Sequence, residues 1–216
     1  MSLIFNNIDK MSFDDLGEES EFIPLMTSED EEALEKENLP EVLPILPLTN
    51  TVLFPGVVIP INAGRDKSIK LINDANKSNK LIGVVAQKDI KIENPSIENI
   101  FNIGTVAKIL RVLKMPDGNT TVIIQGKKRF KIKSVVKTDP YIQATINSIT
   151  DKNQKKSNSK FTATIDAIKD IALKIIKENP NIPSEASFAI KNIHSSAFLI
   201  NFVCSNMNIT VKDKQE

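Results

Sequence analysis

A chain that carries out nucleophilic or metal chemistry must bring several reactive side chains together, and here the supply is small. His194 is the single histidine and Cys204 the single cysteine, so an ordinary zinc site of nitrogen and sulfur ligands cannot be assembled. On one continuous helix the two would lie about three turns, or ~15 Å, apart, too far for a thiolate–imidazole pair. His194 falls at an expected junction between helices, which suits a capping or surface role. Cys204 falls on an apolar helix face, where a thiol behaves as a small hydrophobe. The stretch from Gly118 to Gly126-Lys127 lacks the glycine spacing of a phosphate-cradling loop, and the Ser or Thr that should follow the lysine is absent.

What remains is basic. Lys127, Arg129, Lys131 and Lys133 alternate, with Phe130 and Ile132 between them, and on an extended strand this places the cations on one face. Lys128 adds a fifth. Such a stripe is a candidate polyanion surface, including a possible DNA contact, because phosphates are held mainly by Lys and Arg. The same pattern also describes the solvated outer face of a strand that buries Phe130 and Ile132, and no aromatic platform for stacking bases stands beside it. Charge is unevenly spread along the chain. Asp14 to Glu41 holds twelve carboxylates and the single Lys36, whereas Val42 to Glu216 holds 26 Lys and Arg against 14 Asp and Glu. An acidic leader therefore precedes a basic body, and it can lie against that body or mask it.

The elements that must position these residues are legible in the periodicity. Residues 1–41 read as a disordered leader, because like charges repel and there is little apolar surface to bury. Two features interrupt it: the apolar island Phe22-Ile23-Pro24-Leu25-Met26, and a capping-box spacing at Ser28 to Glu31. Val42 to Leu48 carries Pro44 and Pro47 and suits an edge strand. Phe54-Pro55-Gly56 signals a turn, and Val57 to Ile61 a short strand. Arg65 to Lys77 is predicted as a helix, with Ile69, Leu71 and Ile72 on its apolar stripe. Leu81 to Ala86 is a strand covered on both faces, and Gln87 to Asn102 a long loop. Strands Ile103 to Met115 and Thr120 to Gln125 flank Pro116-Asp117-Gly118-Asn119, a hairpin signal. Arg129 to Val136 and Tyr141 to Ile149 are the remaining strands. Many short strands with a single helix predict a curved sheet or small barrel.

Residues 151–160 hold no apolar side chain and read as a linker. Beyond it Phe161, Ile165, Ile168, Ala172 and Ile175 step at helical spacing. Pro183 opens a second helix running to about Ile193. Ser195 or Ser196 caps a third, with Phe198, Leu199, Phe202 and Val203 apolar. The expected architecture is α+β: a β-rich domain over 42–150, then a helical one over 161–216. Aromatics are few, so the core must be aliphatic, and the 41% hydrophobic content suffices to form one. The lone cysteine fits a reducing compartment. No apolar run is long enough to span a membrane, and the first residues lack a secretory pattern, so a cytoplasmic chain is expected.

Several of these segments, taken in order, resemble the opening of bacterial Lon proteases. They are Leu43 to Leu48, Val52 to Ile61, Gly64 to Ile69, Val84 to Lys88, Ile103 to Leu110, Leu113 to Gly118, Val122 to Arg129, Asn181 to Glu185 and Val211 to Glu216. The resemblance covers about residues 42–216. It implies a β-rich subdomain similar to pseudouridine-synthase-and-archaeosine-transglycosylase (PUA-like) domains, followed by a helical bundle that leads into a long helix. It also implies that the domain captures unfolded or tagged proteins and supports a hexamer. The ATP- and Mg-dependent motor and the Ser-Lys protease would lie downstream, leaving no catalytic residue, cofactor or metal in this chain, which reads as a fragment. Two departures stand out: the acidic leader is long for the family, and Asn62-Ala63 replaces a bulkier apolar pair.

Recognising many unfolded sequences calls for exposed apolar surface. The candidates are Phe54, Val57 and Val58 beside the Pro-Gly turn, with Met115 and Pro116 at the hairpin tip; each also reads as an ordinary core or turn residue. Two other functions fit the same sequence: a PUA-like nucleic-acid-binding module, and a stand-alone Lon-domain adaptor without a motor.

Overall fold

The computed structural model describes residues 39–114, 120–149, 159–179 and 185–216. The leader to residue 38, Met115 and Pro116, most of the expected linker and the Pro183 helix start lie outside the described residues. The strands are β1 (Val42–Leu48), β2 (Val58–Ala63), β3 (Leu81–Ala86), β4 (Ile103–Lys114), β5 (Thr120–Lys137) and β6 (Gln143–Ser148). They form one sheet in the order β2-β5-β4-β3-β1-β6, and β5 also pairs with β6. Strands β5, β4, β3, β1 and β6 therefore close into a barrel, and β2 is attached outside the ring to the first half of β5. Among the described residues only the β1–β3 pair is parallel. Helix α1 (Asp66–Lys77) returns the chain from β2 to β3.

Alternation along the strands supplies two cores. Leu43 and Ile45 of β1 meet Val85, Val106, Phe130, Ala144 and Ile146, one or more residues from every strand of the ring, in the barrel interior. The alternate residues Leu46, Leu48, Ile82, Val84, Ala107, Ile109, Val122 and Ile124 face a second core on the other side. That core is covered by β2 and by Leu71, Ile72 and Ala75 of α1, which share one helical stripe. The interior is narrow. A Cβ on Gly83 or Gly104 would meet the Phe130 ring at 2.9 and 3.0 Å, so both glycines provide the room in which that ring sits.

β1 is not an edge strand, because β3 and β6 flank it. Its prolines are tolerated for a local reason. Ile45 N–H donates to Ile142 C=O on the β6 side, so odd residues of β1 point toward β6 and even ones toward β3. Pro44 faces β3 before that ladder begins at Ile45, and Pro47 faces β6 after that ladder has ended at Pro44. Neither removes a donor that the sheet uses. The two predicted strands Thr120–Gln125 and Arg129–Val136 are one strand, β5. Gly126 lies opposite Ala107 and Arg129 opposite Thr105, so Lys127 and Lys128 form a bulge against Val106. The bulge reverses parity: Val122 and Ile124 face the outer core, whereas Phe130 faces the barrel interior.

The turn signal at Phe54-Pro55-Gly56 matches the structure. Gly56 has φ 80° and Val57 N–H donates to Phe54 C=O, a type II turn with proline and glycine in their preferred positions. Val57 thus belongs to the turn, and β2 begins one residue later and runs two further than predicted. Residues 87–102 are irregular apart from a 3₁₀ turn at Ile97–Asn99 and an isolated antiparallel bridge between Gln87 and Ile100.

The C-terminal part comprises α2 (Ser159–Glu178), α3 (Glu185–Asn192), α4 (Ser196–Asn206) and α5 (Val211–Gln215). Ser195, not Ser196, caps α4, its Oγ accepting from Phe198 N–H at 2.9 Å. Ile165, Ile190, Ile193, Phe198 and Leu199 join the outer core, and Asn201 Nδ2 donates to Pro55 C=O at 3.2 Å. On α2 the packed stripe is Phe161, Ile165, Ile168, Ala172, Leu173 and Ile176. The expected Ile175 is instead 54% exposed.

Candidate peptide-binding trough

The sequence-derived apolar patch does not survive as a unit. Val57 is only 3% exposed and belongs to the outer core, so it cannot meet a ligand while the turn is folded. Its burial follows from the type II turn, which directs the residue after Gly56 inward. Phe54 is half-buried and packs against the same core. Val58 is half-buried but on the outward side of β2, because Ile59, Ile61 and Ala63 take the inward positions. Met115 and Pro116 lie outside the described residues.

The cations are also regrouped. Gly126 and Arg129 lie on the face that Ala107 and Thr105 occupy, with Lys127 and Lys128 bulged between them opposite Val106. A second register shift falls at Lys133, between Ile132 and Ser134. One alternating stripe from Lys127 to Lys133 therefore does not form; two bulges interrupt the parity on which it depended. Lys131 and Lys133 are exposed, while Lys127, Lys128 and Arg129 are half-buried.

A concave surface forms elsewhere, where α1 starts. An open groove of about 390 Å³ runs between Leu46–Thr51 and Ile59–Gly64, reaching Arg65 and Ser68. A second, of about 360 Å³, shares Leu46, Pro47, Arg65 and Ser68 with it and continues to Pro95, Tyr141 and Ile142. Together they make a trough whose walls mix aliphatic, proline and polar side chains, with Arg65 shared by its two halves. Arg65 Nη2 donates to Gln87 Oε1 at 3.0 Å. Gln87 is buried, and its Nε2 donates to the carbonyls of Asp89 and Ile92 at 2.8 and 2.6 Å. Its backbone N–H donates to Leu48 C=O. Gln87 therefore holds the end of β1 through its backbone, and the loop after β3 and the guanidinium between the grooves through its buried carboxamide. Arg65 and Gln87 belong to no pattern of reactive residue types, although both lie within the motifs that carry the family resemblance.

Along the trough runs the free edge of β2. Val57 C=O accepts from Gly126 N–H, so odd residues of β2 address β5 and the backbones of Val58, Pro60 and Asn62 address the other edge. No strand pairs with that edge among the described residues. It offers the N–H groups of Val58 and Asn62 and three carbonyls. Pro60 interrupts the donors, which limits open-ended pairing with other chains. The Asn62 side chain is exposed on the groove wall, and its Oδ1 accepts from Thr121 Oγ1 at 2.9 Å. The departure at Asn62-Ala63 thus puts a polar amide on the wall and a small residue in the core.

Tyr141 at the far end of the trough has its titration pushed up, by burial first and then by its hydrogen bond to Asp74, so the phenol is neutral at pH 7. Lys214, remote in sequence on α5, is pushed down by burial. Among the described residues no three His, Cys, Asp or Glu converge as metal ligands, and no helix is long and apolar enough to cross a membrane.

Residues 42–216 match the family described as the ATP-dependent protease La (LON) substrate-binding domain. Over 208 residues the chain is 62% identical to a Lon protease of Flavobacterium johnsoniae, which covers 96% of this chain and 26% of that protein. It is 50% identical to a Lon protease of Cytophaga hutchinsonii, over 91% of this chain and 24% of that one. The chain thus spans about a quarter of the length of these relatives. The fold is similar to the N-terminal domain of a Mycobacterium avium complex Lon protease. The TM-score is 0.64 at 18% identity, covering 81% of this chain and 88% of that one.

Proposed function

Because the chain belongs to the Lon substrate-binding domain family, we propose that it selects protein substrates by holding an extended segment in the trough beside β2. The observation that carries this reading is the coincidence of an unpaired strand edge with a groove of mixed aliphatic, proline and polar walls. An edge supplies main-chain hydrogen bonds that any sequence can use, and the walls supply contacts for alternate side chains. That combination suits partners that share an unfolded backbone and little else. Pro60 keeps each encounter short. Arg65 adds a fixed donor array at the centre of the trough.

In the same reading the whole protein is a cytoplasmic, ATP- and Mg-dependent Ser-Lys protease. The motor and the cutting residues belong to its other parts. This domain also helps to support a hexamer, and several weak troughs in one ring would bind by avidity. Misfolded and regulatory proteins are the expected substrates.

Asn62 allows a direct test, because it is exposed on the groove wall and its replacement removes one hydrogen bond, that from Thr121 Oγ1, and no core packing. Binding of a fluorescently labelled, permanently unfolded protein is measured by anisotropy for the wild type, Asn62→Glu and Asn62→Arg. Both variants are expected to weaken binding about five-fold or more, since either charge loses solvent when a segment covers it. Loss of the bond from the buried Thr121 hydroxyl should lower the melting temperatures of both variants alike, by about 2–4 °C for roughly 1 kcal/mol. Unchanged binding by both, or opposite effects of the two charges, would contradict the trough.

A further inference from the structure

Helix α1 begins inside the trough, and its first turn is uncapped. The N-cap is Arg65, whose backbone is extended (φ −90°, ψ 136°) and whose side chain makes no capping bond. Arg65 C=O takes the first helical bond, from Ile69 N–H at 2.9 Å. The N–H groups of Asp66, Lys67 and Ser68 therefore have no acceptor within the helix, and they form the positive end of a 12-residue helix dipole. Ser68 stands one turn after Arg65 and lines both grooves with it. It is only 9% exposed, yet its hydroxyl has no hydrogen-bond partner among the described residues. A hydroxyl so placed is unfavourable until an acceptor arrives.

The guanidinium beside it is positioned but not neutralised. Gln87 Oε1 is aimed at Arg65 because the Nε2 end of the same carboxamide is committed to two carbonyls, and a carboxamide brings no charge. The other N–H groups of Arg65 have no acceptor among the described residues. No carboxylate lines the first groove, and the second is lined by Lys67 and a single one, Asp139. Asp66 is in the first turn of α1 but is exposed and lines neither groove. We propose that Arg65, Ser68 and the first N–H groups of α1 form a carboxylate subsite, which takes an acidic side chain or the free C-terminal carboxylate of the bound segment. A carboxylate matches the planar fork of an arginine and keeps lone pairs for a hydroxyl. The subsite rests on the reading of the trough as the place where a segment is held, and it adds selectivity: the β2 edge accepts any backbone, whereas the subsite ranks the segments that reach it.

Anisotropy of fluorescently labelled extended peptides, titrated with the full chain, tests it. One peptide is uncharged with an amidated end, the next differs by a central Glu, and the last differs from the first by a free C-terminal carboxylate. At least one carboxylate peptide is expected to bind about ten-fold tighter than the uncharged one, and the peptide that gains identifies the source of the carboxylate. Arg65→Gln should bring that ratio near unity, and Ser68→Ala should lower it about three-fold. The ratio is the readout, because a merely structural role for Arg65 would weaken all the peptides in proportion and leave it unchanged. Ser68→Ala removes only an unpartnered hydroxyl, so it decides the matter even where circular dichroism shows Arg65→Gln to be unfolded. The trough and the subsite fail separately. Binding of the uncharged peptide by Asn62→Glu and Asn62→Arg reports on the trough alone. A wild-type ratio near unity, or a ratio that both Arg65→Gln and Ser68→Ala leave unchanged, overturns the carboxylate subsite whatever the Asn62 variants do.

Discussion

Phe130→Ala is expected to cost about 3–5 kcal/mol of folding free energy, the range for truncating a fully buried aromatic ring. The ring is 0% exposed and lies in the barrel interior among residues from all five strands of the ring. Gly83 and Gly104 leave no side chains that could move in to refill the space. Since a domain of this size has only about 5–15 kcal/mol in total, the variant should approach marginal stability, with a melting temperature lower by about 10 °C or more. Urea unfolding followed by circular dichroism measures this. A loss below ~1 kcal/mol would mean that the ring is not the centre of the barrel.

Gly126→Ala has the second largest expected effect, for the opposite reason. The added methyl would overlap the carbonyl oxygen of Phe54 and crowd its carbonyl carbon and the Leu53 side chain. The contact is with backbone, and it is doubly fastened: Gly126 N–H donates to Val57 C=O and Gly56 N–H donates to Gly126 C=O, both at 2.9 Å. Overpacking of this kind costs about 1–3 kcal/mol. It should also weaken capture of unfolded protein, because the displaced turn is the start of β2 and hence of the trough. Gly64→Ala is the internal control. No atom lies within 4 Å of its added Cβ, so it should stay within about 0.5 kcal/mol of wild type. Equal destabilisation by the two substitutions would contradict the packing described.

These two sites show which parts of the fold were legible in the chain and which were not. The turn at Phe54-Pro55-Gly56 was legible because a type II turn depends on the intrinsic φ preferences of proline and glycine. The covered strand Leu81–Ala86 and helix α1 were legible from apolar patterning, and the α+β class followed from them, whereas the strand number did not, because two predicted strands are the single β5. The bulge at Lys127-Lys128 was not. A sequence displays alternation but not the register of its partner, and one extra residue against Val106 reverses every side chain beyond it. The basic stripe fell with it. The prolines of β1 misled for a related reason: whether a missing N–H matters depends on where each neighbouring ladder starts and stops. On α2, Ile175 and Ile176 flank the apolar stripe, and the packing partner favours Ile176.

The candidate site was less legible than the fold. Val57 and Val58 are chemically identical neighbours, yet one is buried and the other faces outward, a difference fixed by the turn. The trough is assembled from segments far apart in sequence, around a buried Gln87 that has no chemical reactivity to draw attention to it. Ordered family motifs pointed to the right segments without assigning them a geometry.

The central claim is that an extended segment binds beside the free edge of β2. Amide chemical-shift mapping of the isotopically labelled chain, titrated with an unlabelled unfolded polypeptide, tests it most directly. The account predicts that the largest shifts fall on Val58, Asn62, Thr51 and Arg65, and that the amides of Ile59 and Ile61, which address β5, shift less. Shifts centred on β5 and β6, or on the exposed Ile171 and Phe188 of the helices, with the β2 edge unmoved, would contradict it.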